Sequence, residues 1–314
     1  MPEIIDDKAQ HVVPFILSLL SEHQKANSTS PNPPPFFIGL NGVQGAGKTV
    51  LVDILKKTLT SPPHNLSTVV FSLDDLYLTH EDQVSLAEAN PDNPLLQHRG
   101  QPSTHDIPLA KSVFHSLKQN KPTKIPQYNK AAFSGQGDRV PQTEWAEVNT
   151  DPAHPVRVVL FEGWCVGFRP LSPEALQHKH AAAVEGLKTS TPETPYRGRL
   201  AHNTLKSVTT INEALRQYDD ITSQLDAFVH IDALDPLYVY KWRLEQEAGL
   251  RASRGTGMTD EQVRHFVDGY YPAYELYTET LREGVFKGVR EDWKGRQLRL
   301  VVGEDRKVRE VIKL

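Results

Sequence analysis

The chain carries a single cysteine, Cys165, among its 314 residues, so no disulfide can close within it. A reducing compartment is the expected setting. No apolar run approaches the ~18 residues that cross a bilayer, so no transmembrane helix is expected. An excess of one sign of charge is also lacking, with 35 Lys and Arg against 39 Asp and Glu. The net charge of −4 gives no support for a nucleic-acid or membrane-binding surface. The N-terminus, residues 1–7, is acidic and lacks a secretory or transit pattern, which makes the cytoplasm the expected location. No repeat recurs at a fixed period, and no second composition regime marks another domain. What remains is 38% hydrophobic and 24% charged, a balance suited to a soluble globular α/β protein.

One stretch organises the rest. Gly42, Val43, Gln44, Gly45, Ala46, Gly47, Lys48 and Thr49 fit G-x-x-x-x-G-K-[ST], the P-loop pattern. An apolar run at residues 36–40 reads as a buried strand before it. Val50, Leu51, Ile54, Leu55 and Leu59 recur at helical spacing after it. Glycines let the backbone curl round a phosphate and aim its N–H groups inward, and a helix N-terminus favours an anion. Lys48 is placed to reach the β- and γ-phosphates of ATP, and Thr49 to offer its hydroxyl to Mg2+. A chance match in a chain this long is about a one-in-a-hundred event. The bland alternative is a strand-to-helix turn that binds nothing.

Ahead of the P-loop, residues 8–25 predict an amphipathic helix, with Pro14 suited to its beginning. A proline-rich linker follows at 27–35. Beyond the P-loop, apolar runs at 68–73, 156–163, 225–231 and 298–302 read as further strands, giving five in all. Helices are expected between them, including 108–117, 211–223 and 236–247. Arg251 and Arg254 fall in the link after the last of these. Asp260 is expected to cap a helix that stops near Pro272, where a new one opens. Alternating strands and helices predict a parallel sheet covered on both faces.

Two strand ends carry acids. Residues 68–73 lead into Asp74 and Asp75, and 156–163 contain Glu162. Ligands in open α/β sheets bind beyond the carboxyl ends of strands. Either aspartate is placed to act on a substrate, or to cap the next helix. Glu162 suits the task of holding Mg2+ beside the P-loop. Residues 78–106 and 125–139 read as long loops dense in cations, histidine and tyrosine. Arg99, His105, Lys130 and Arg139 are candidate cationic anchors for an anionic acceptor, arginine being the side chain best able to grip a carboxylate in two places.

The P-loop, Ser72-Leu73-Asp74-Asp75-Leu76-Tyr77, residues 99–106 from Arg99 to Asp106, Pro126-Gln127-Tyr128-Asn129-Lys130, Gly135-Gln136-Gly137-Asp138-Arg139 and Phe161-Glu162-Gly163-Trp164 together resemble the D-glycerate 3-kinase family. This is a group of P-loop kinases related to uridine kinase, pantothenate kinase and phosphoribulokinase. The resemblance runs over about residues 36–281. It implies a five-stranded parallel core, Asp74 as general base and Glu162 as a Mg2+ ligand. It further implies lid arginines at the nucleotide, mapping to Arg243, Arg251 or Arg254, and places Asp75, Tyr77 and Tyr128 beside the four cations on the substrate side. The implied reaction is ATP-dependent phosphorylation of D-glycerate at its 3-hydroxyl. A nucleoside, pantothenate or sugar phosphate is the alternative acceptor, and a nucleotide-binding regulatory protein without turnover is the alternative class. The expected organisation is an N-terminal extension at 1–35 and a kinase domain at 36–314, with 169–205 inserted. The expected partner is a small molecule, with no nucleic acid or membrane, and the expected state is a monomer.

Overall fold

The structure, a computed structural model, describes residues 7–255 and 257–314. Helix α1 (Ala9–Ala26) precedes strand β1 (Phe36–Gly42), helix α2 (Lys48–Thr60) and strand β2 (Thr68–Ser72). Helices α3 (His80–Ala89) and α4 (Ile107–Lys118) lead to four short strands, β3 (Thr123–Ile125), β4 (Tyr128–Asn129), β5 (Asp138–Arg139) and β6 (Ala146–Val148). Then come β7 (Val158–Gly163), α5 (Pro173–Lys188), α6 (Leu205–Leu215), α7 (Asp219–Thr222), β8 (Ala227–Ala233), α8 (Tyr238–Arg254), α9 (Asp260–Arg282), β9 (Gln297–Val302) and β10 (Val308–Lys313). No described helix is long and apolar enough to cross a membrane.

The main sheet has the order β10-β9-β8-β1-β7-β2. Pairing is parallel from β9 across to β2. Every residue of β1 is buried, as expected for a central strand covered on both faces. Its one polar side chain, Asn41, is satisfied by donating to the carbonyls of Trp164 and Val166 at 3.0 and 2.8 Å. Strand β1 lies between β7 and β8, so its carboxyl end opens where strands on either side also end.

The five expected strands form the parallel part of the sheet, and a sixth joins them at its edge. Strand β10 adds an antiparallel edge to β9. It folds back through a tight turn in which Gly303 N–H donates to Lys307 O at 3.0 Å and Arg306 adopts φ +63°. Its residues, Val-Arg-Glu-Val-Ile-Lys, are mostly exposed and half charged, so they lack the apolar run of a buried strand. Charged residues are what keeps an exposed edge from pairing with other chains.

The prolines mislead as well. Pro14 does not open α1; it sits inside the helix, and Pro272 sits inside an unbroken α9. Each removes one intrahelical hydrogen bond, a cost of about 3 kcal/mol. Burial of Val12, Phe15, Ile16, Leu19 and Leu20 in α1 outweighs it, at ~1.5–3 kcal/mol per large side chain. In α9, Tyr270, Tyr271, Tyr274, Leu276 and Tyr277 do the same. Thr259, not Asp260, caps α9, through a capping box closed by Gln262. Arg251 and Arg254 belong to α8, not to a link after it. Residues 78–106, expected as loop, contain α3 and a turn at Pro94–Leu96. The helix expected over 211–223 is α6, which starts earlier, followed by a tight turn and α7. Residues 169–205 contain α5, which packs against α6.

Candidate active site

Strand β1 delivers the chain to the P-loop, and α2 starts at its last lysine. Gly45 and Gly47 adopt φ +80° and +96°, conformations that side chains rarely tolerate. At Gly45 space forbids a side chain too, since a Cβ would stand 2.5 Å from the Cβ of Trp242. The Lys48 ammonium is held by the carbonyl of Gly42 at 2.8 Å. Burial pushes its pKa down, and the charges of Glu162 and Asp74 only partly restore it. The Gly42 carbonyl thus holds the cation against the P-loop, within the field of two carboxylates.

Parallel pairing sets those carboxylates. Glu162 of β7 is level with Leu40 of β1 and Ser72 of β2. The Ser72 hydroxyl donates to the Glu162 carbonyl at 3.3 Å, which ties the two strand ends together. After Ser72 the chain turns into a single 3-10 turn, Leu73–Leu76. That turn separates the two aspartates. The Asp75 carboxylate curls back and accepts the Ser72 N–H at 3.0 Å, closing a capping box. Asp74 instead lines the cleft with Lys48, Thr49 and Glu162, its Oδ2 2.5 Å from the Lys130 ammonium. Burial raises the Asp74 pKa, but the Lys130 charge and hydrogen bond, with the Lys48 charge behind them, outweigh it and hold the carboxyl below its ordinary range.

The expected acceptor anchors divide. Arg99 and Lys130 line the same cleft. Arg99 donates to the Gly135 carbonyl at 2.7 Å and to that of Gln136, and lies 5.7 Å over the half-buried Tyr128 ring. His105 is not a cation. It is buried, stacked on Tyr77 at 4.4 Å and hydrogen-bonded with the Tyr218 hydroxyl at 2.7 Å. Burial lowers its pKa to about 3, against the pull of Asp74, so it is neutral at working pH. Arg139 is likewise engaged internally. It pairs with Asp106 at 3.0 Å and donates to the Tyr77 carbonyl at 2.8 Å, fastening the β4–β5 ribbon to the turn that carries Asp74. Tyr77 is buried and stands edge-on to Tyr128.

The nucleotide side divides too. Arg243 lines the cleft, 5.3 Å over Phe266, with its Nη1 donating to Gln246 Oε1 at 2.5 Å. Arg251 instead bridges α8 to the start of α9, pairing with Asp260 at 2.7 Å and donating to the Met258 carbonyl. The Arg254 side chain lies outside the described residues.

Several contributors escape sequence reasoning. Arg306, in the β9–β10 turn, donates from Nε to the Gly45 carbonyl at 2.8 Å, pairs with Glu245 at 2.7 Å and lies 5.3 Å over the Trp242 ring. Trp242 is fully buried and donates to the Glu304 carbonyl at 2.7 Å. The P-loop is thereby clamped between α8 and a turn some 260 residues later in the chain. Buried Lys8 brings its ammonium within 3.7 Å of the position a Cβ on Gly47 would take. Across the cleft, Gln101 donates to the Gly269 carbonyl at 2.7 Å, and Tyr270 and Trp164 pack edge to face. Lys8 and Arg306 look like surface charges in sequence; only Trp242, an apolar ring on a helix, carried a signal of burial.

No protein-family model matches the chain. Individual relatives do. A kinase of Schizosaccharomyces pombe, named as uncharacterized, is 38% identical over 285 residues, covering 90% of this chain and 91% of that protein. The chloroplastic D-glycerate 3-kinase of Arabidopsis thaliana is 37% identical over 253 residues, 79% of this chain but 49% of its own length. The solved structure of a D-glycerate 3-kinase from Cryptococcus neoformans superposes with a TM-score of 0.85 at 36% identity, covering 99% of this chain and 100% of that one. With a P-loop, its lysine and a strand-end acid meeting at the end of β1, the chain belongs to the D-glycerate 3-kinase family of P-loop kinases.

Proposed function

We propose that the chain transfers the γ-phosphoryl group of ATP to the 3-hydroxyl of D-glycerate, giving 3-phosphoglycerate and ADP. The observation that carries this reading is the end-to-end likeness to a D-glycerate 3-kinase. The cleft supports it, with one candidate base facing the P-loop lysine and cations on its acceptor side. In the reaction a bond forms between the 3-oxygen and phosphorus, and the bond from phosphorus to the ADP oxygen breaks. Asp74 takes the hydroxyl proton. Lys48 and the P-loop N–H groups hold the phosphates, and Arg99 and Lys130 draw the substrate carboxylate. Most of the work is positioning and charge stabilisation.

The donor set fits Mg2+. The Thr49 hydroxyl and the Glu162 carboxylate are hard oxygen ligands, and the described residues contain no cluster of three or more His, Cys, Asp or Glu. That suits an ion taking one or two protein ligands, with phosphates and water supplying the rest. When bound there, Mg2+ offsets the negative charge on the β- and γ-oxygens.

The test is ATP consumption by the purified protein against D-glycerate, L-glycerate, uridine, pantothenate and ribulose 5-phosphate. Turnover with D-glycerate well above the others is the expected result. Preference for uridine or pantothenate would move the acceptor, and silence with the whole panel would favour a nucleotide-binding regulator.

A further inference from the structure

Lys130 occupies the turn between β4 and β5, and 57% of its side chain is exposed. Its ammonium nonetheless rests on Asp74, the carboxylate that the acceptor's hydroxyl must reach. The turn beneath it is well fastened. Arg99 grips the carbonyls of Gly135 and Gln136 and reaches that of Lys130 at 3.5 Å, and Phe133 stacks on His80 with ring centroids 3.8 Å apart. The backbone is therefore held in place while the lysine stem alone projects into the cleft.

A carboxylate in contact with an ammonium is a poor proton acceptor, because the pairing favours its charged form. The geometry thus masks the base. It also supplies a way to unmask it. An ion pair with an exposed partner is weak, since water competes for both charges. Lysine is a compact charge on a flexible stem and can change partners without moving the backbone. A hydroxy-acid acceptor brings a carboxylate of its own.

Resting on the acceptor reading above, we propose that Lys130 exchanges partners in the catalytic cycle, holding Asp74 while the acceptor site is free and moving to the acceptor's carboxylate once it binds. Asp74 is released as a base only when a hydroxyl is there to be phosphorylated. The same exchange discriminates against neutral alcohols, which cannot draw the lysine away, and restrains hydrolysis of ATP by water.

The groups around Asp74 keep the test readable. Lys130, Lys48, His105, Asp75, Tyr77, Tyr128, Tyr270 and Cys165 all face it electrostatically. His105 is neutral, and burial holds the tyrosines and the thiol protonated. Asp75 is the neighbouring acid coupled to Asp74, and an Asp75→Asn background removes it, while Glu162 is the same in every variant. The experiment measures pH profiles of kcat and of kcat/KM for D-glycerate, at saturating ATP, in that background with Lys130, Lys130→Met and Lys130→Arg. The kcat/KM profile reports the acceptor-free enzyme and the kcat profile the ternary complex. The substrate's own carboxyl contributes the same limb to every variant.

With Lys130 present, the acid limb of kcat/KM should lie below that of kcat. In Lys130→Met the kcat/KM limb should rise by about one pH unit, more than the kcat limb does. The KM for D-glycerate should rise about tenfold while that for ATP stays within about threefold. Acceptor-free ATP hydrolysis should increase, and Lys130→Arg should restore part of the limb separation. Limbs that move together mean that Lys130 stays on Asp74 throughout; limbs that do not move mean that it never masks the base. Either result overturns the exchange. A protein with Lys130 intact that leaves D-glycerate unphosphorylated overturns the acceptor reading instead, before any variant is compared.

Discussion

Asp74→Asn keeps the shape of the side chain that faces Lys130 and Lys48 but removes its capacity to take a proton. Losing a general base costs roughly 10²–10⁴-fold in rate. Nucleotide binding should hold within a few fold, because the P-loop, Thr49 and Glu162 are untouched. Asp75→Asn gives the contrast. The Asp75 carboxylate serves backbone N–H groups, those of Ser72 and Tyr128, and an asparagine oxygen can still accept from Ser72. Its kcat should stay within about threefold of wild type, whereas Asp75→Ala, which loses the cap, should cost about 0.5–2 kcal/mol of stability. The assay is kcat by coupled ADP release beside the dissociation constant for Mg·ATP, for Asp74→Asn and Asp75→Asn in parallel, with urea denaturation for Asp75→Ala. A dead Asp75→Asn enzyme together with a nearly normal Asp74→Asn enzyme would refute the assignment, and with it the argument that the 3-10 turn presents only the first acid.

Three further perturbations probe other parts of the molecule. Lys48→Met removes the half-buried cation at the P-loop and should lower kcat by about 10²–10³-fold with the fold intact by circular dichroism; near-normal turnover would sink the P-loop role. Gly45→Ala forces a Cβ against Trp242 at φ +80°, so ATP affinity and melting temperature should fall together, by about 1–3 kcal/mol in stability. Asp232, buried between β8 and the arginines, accepts from Arg282 at 2.8 and 3.0 Å and from Arg299 at 2.8 Å. Asp232→Asn should cost about 3–5 kcal/mol at pH 7, because two cations lose their counter-charge. Burial raises the Asp232 pKa, but the Arg282 hydrogen bonds and the charges of His230, Arg282 and Arg299 bring it below its ordinary 3.8. Its stabilisation is therefore present above that value and lost as the pH falls through the depressed folded-state pKa. Urea denaturation at pH 7 and near pH 3 should show the gap between wild type and variant narrowing; a constant gap would contradict the ion-pair account.

The P-loop could be read from eight adjacent residues because its function is local: glycines shape the turn, and the lysine and threonine follow within the same turn of helix. The parallel core was legible too, since strands buried on both faces are continuous apolar runs. Strand β10 was not, because its pairing comes from a turn and an open edge and not from an apolar run of its own. The sequence by itself also set the acids at the ends of β2 and β7 and the cations of residues 99–139. It did not decide which of these groups meet. Asp74 and Asp75 are chemically identical neighbours, and only the turn after Ser72 sends one into the cleft and the other back onto the backbone. His105 and Arg139 are cations on paper. Burial makes the first neutral, and Asp106 and the Tyr77 carbonyl occupy the second. Lys8, Trp242 and Arg306 reach the P-loop from both ends of the chain, a convergence no local pattern encodes. Residue types and spacing determine what chemistry is possible. Desolvation and proximity, which exist only once distant segments pack, determine which charges survive and which side chains can touch a substrate.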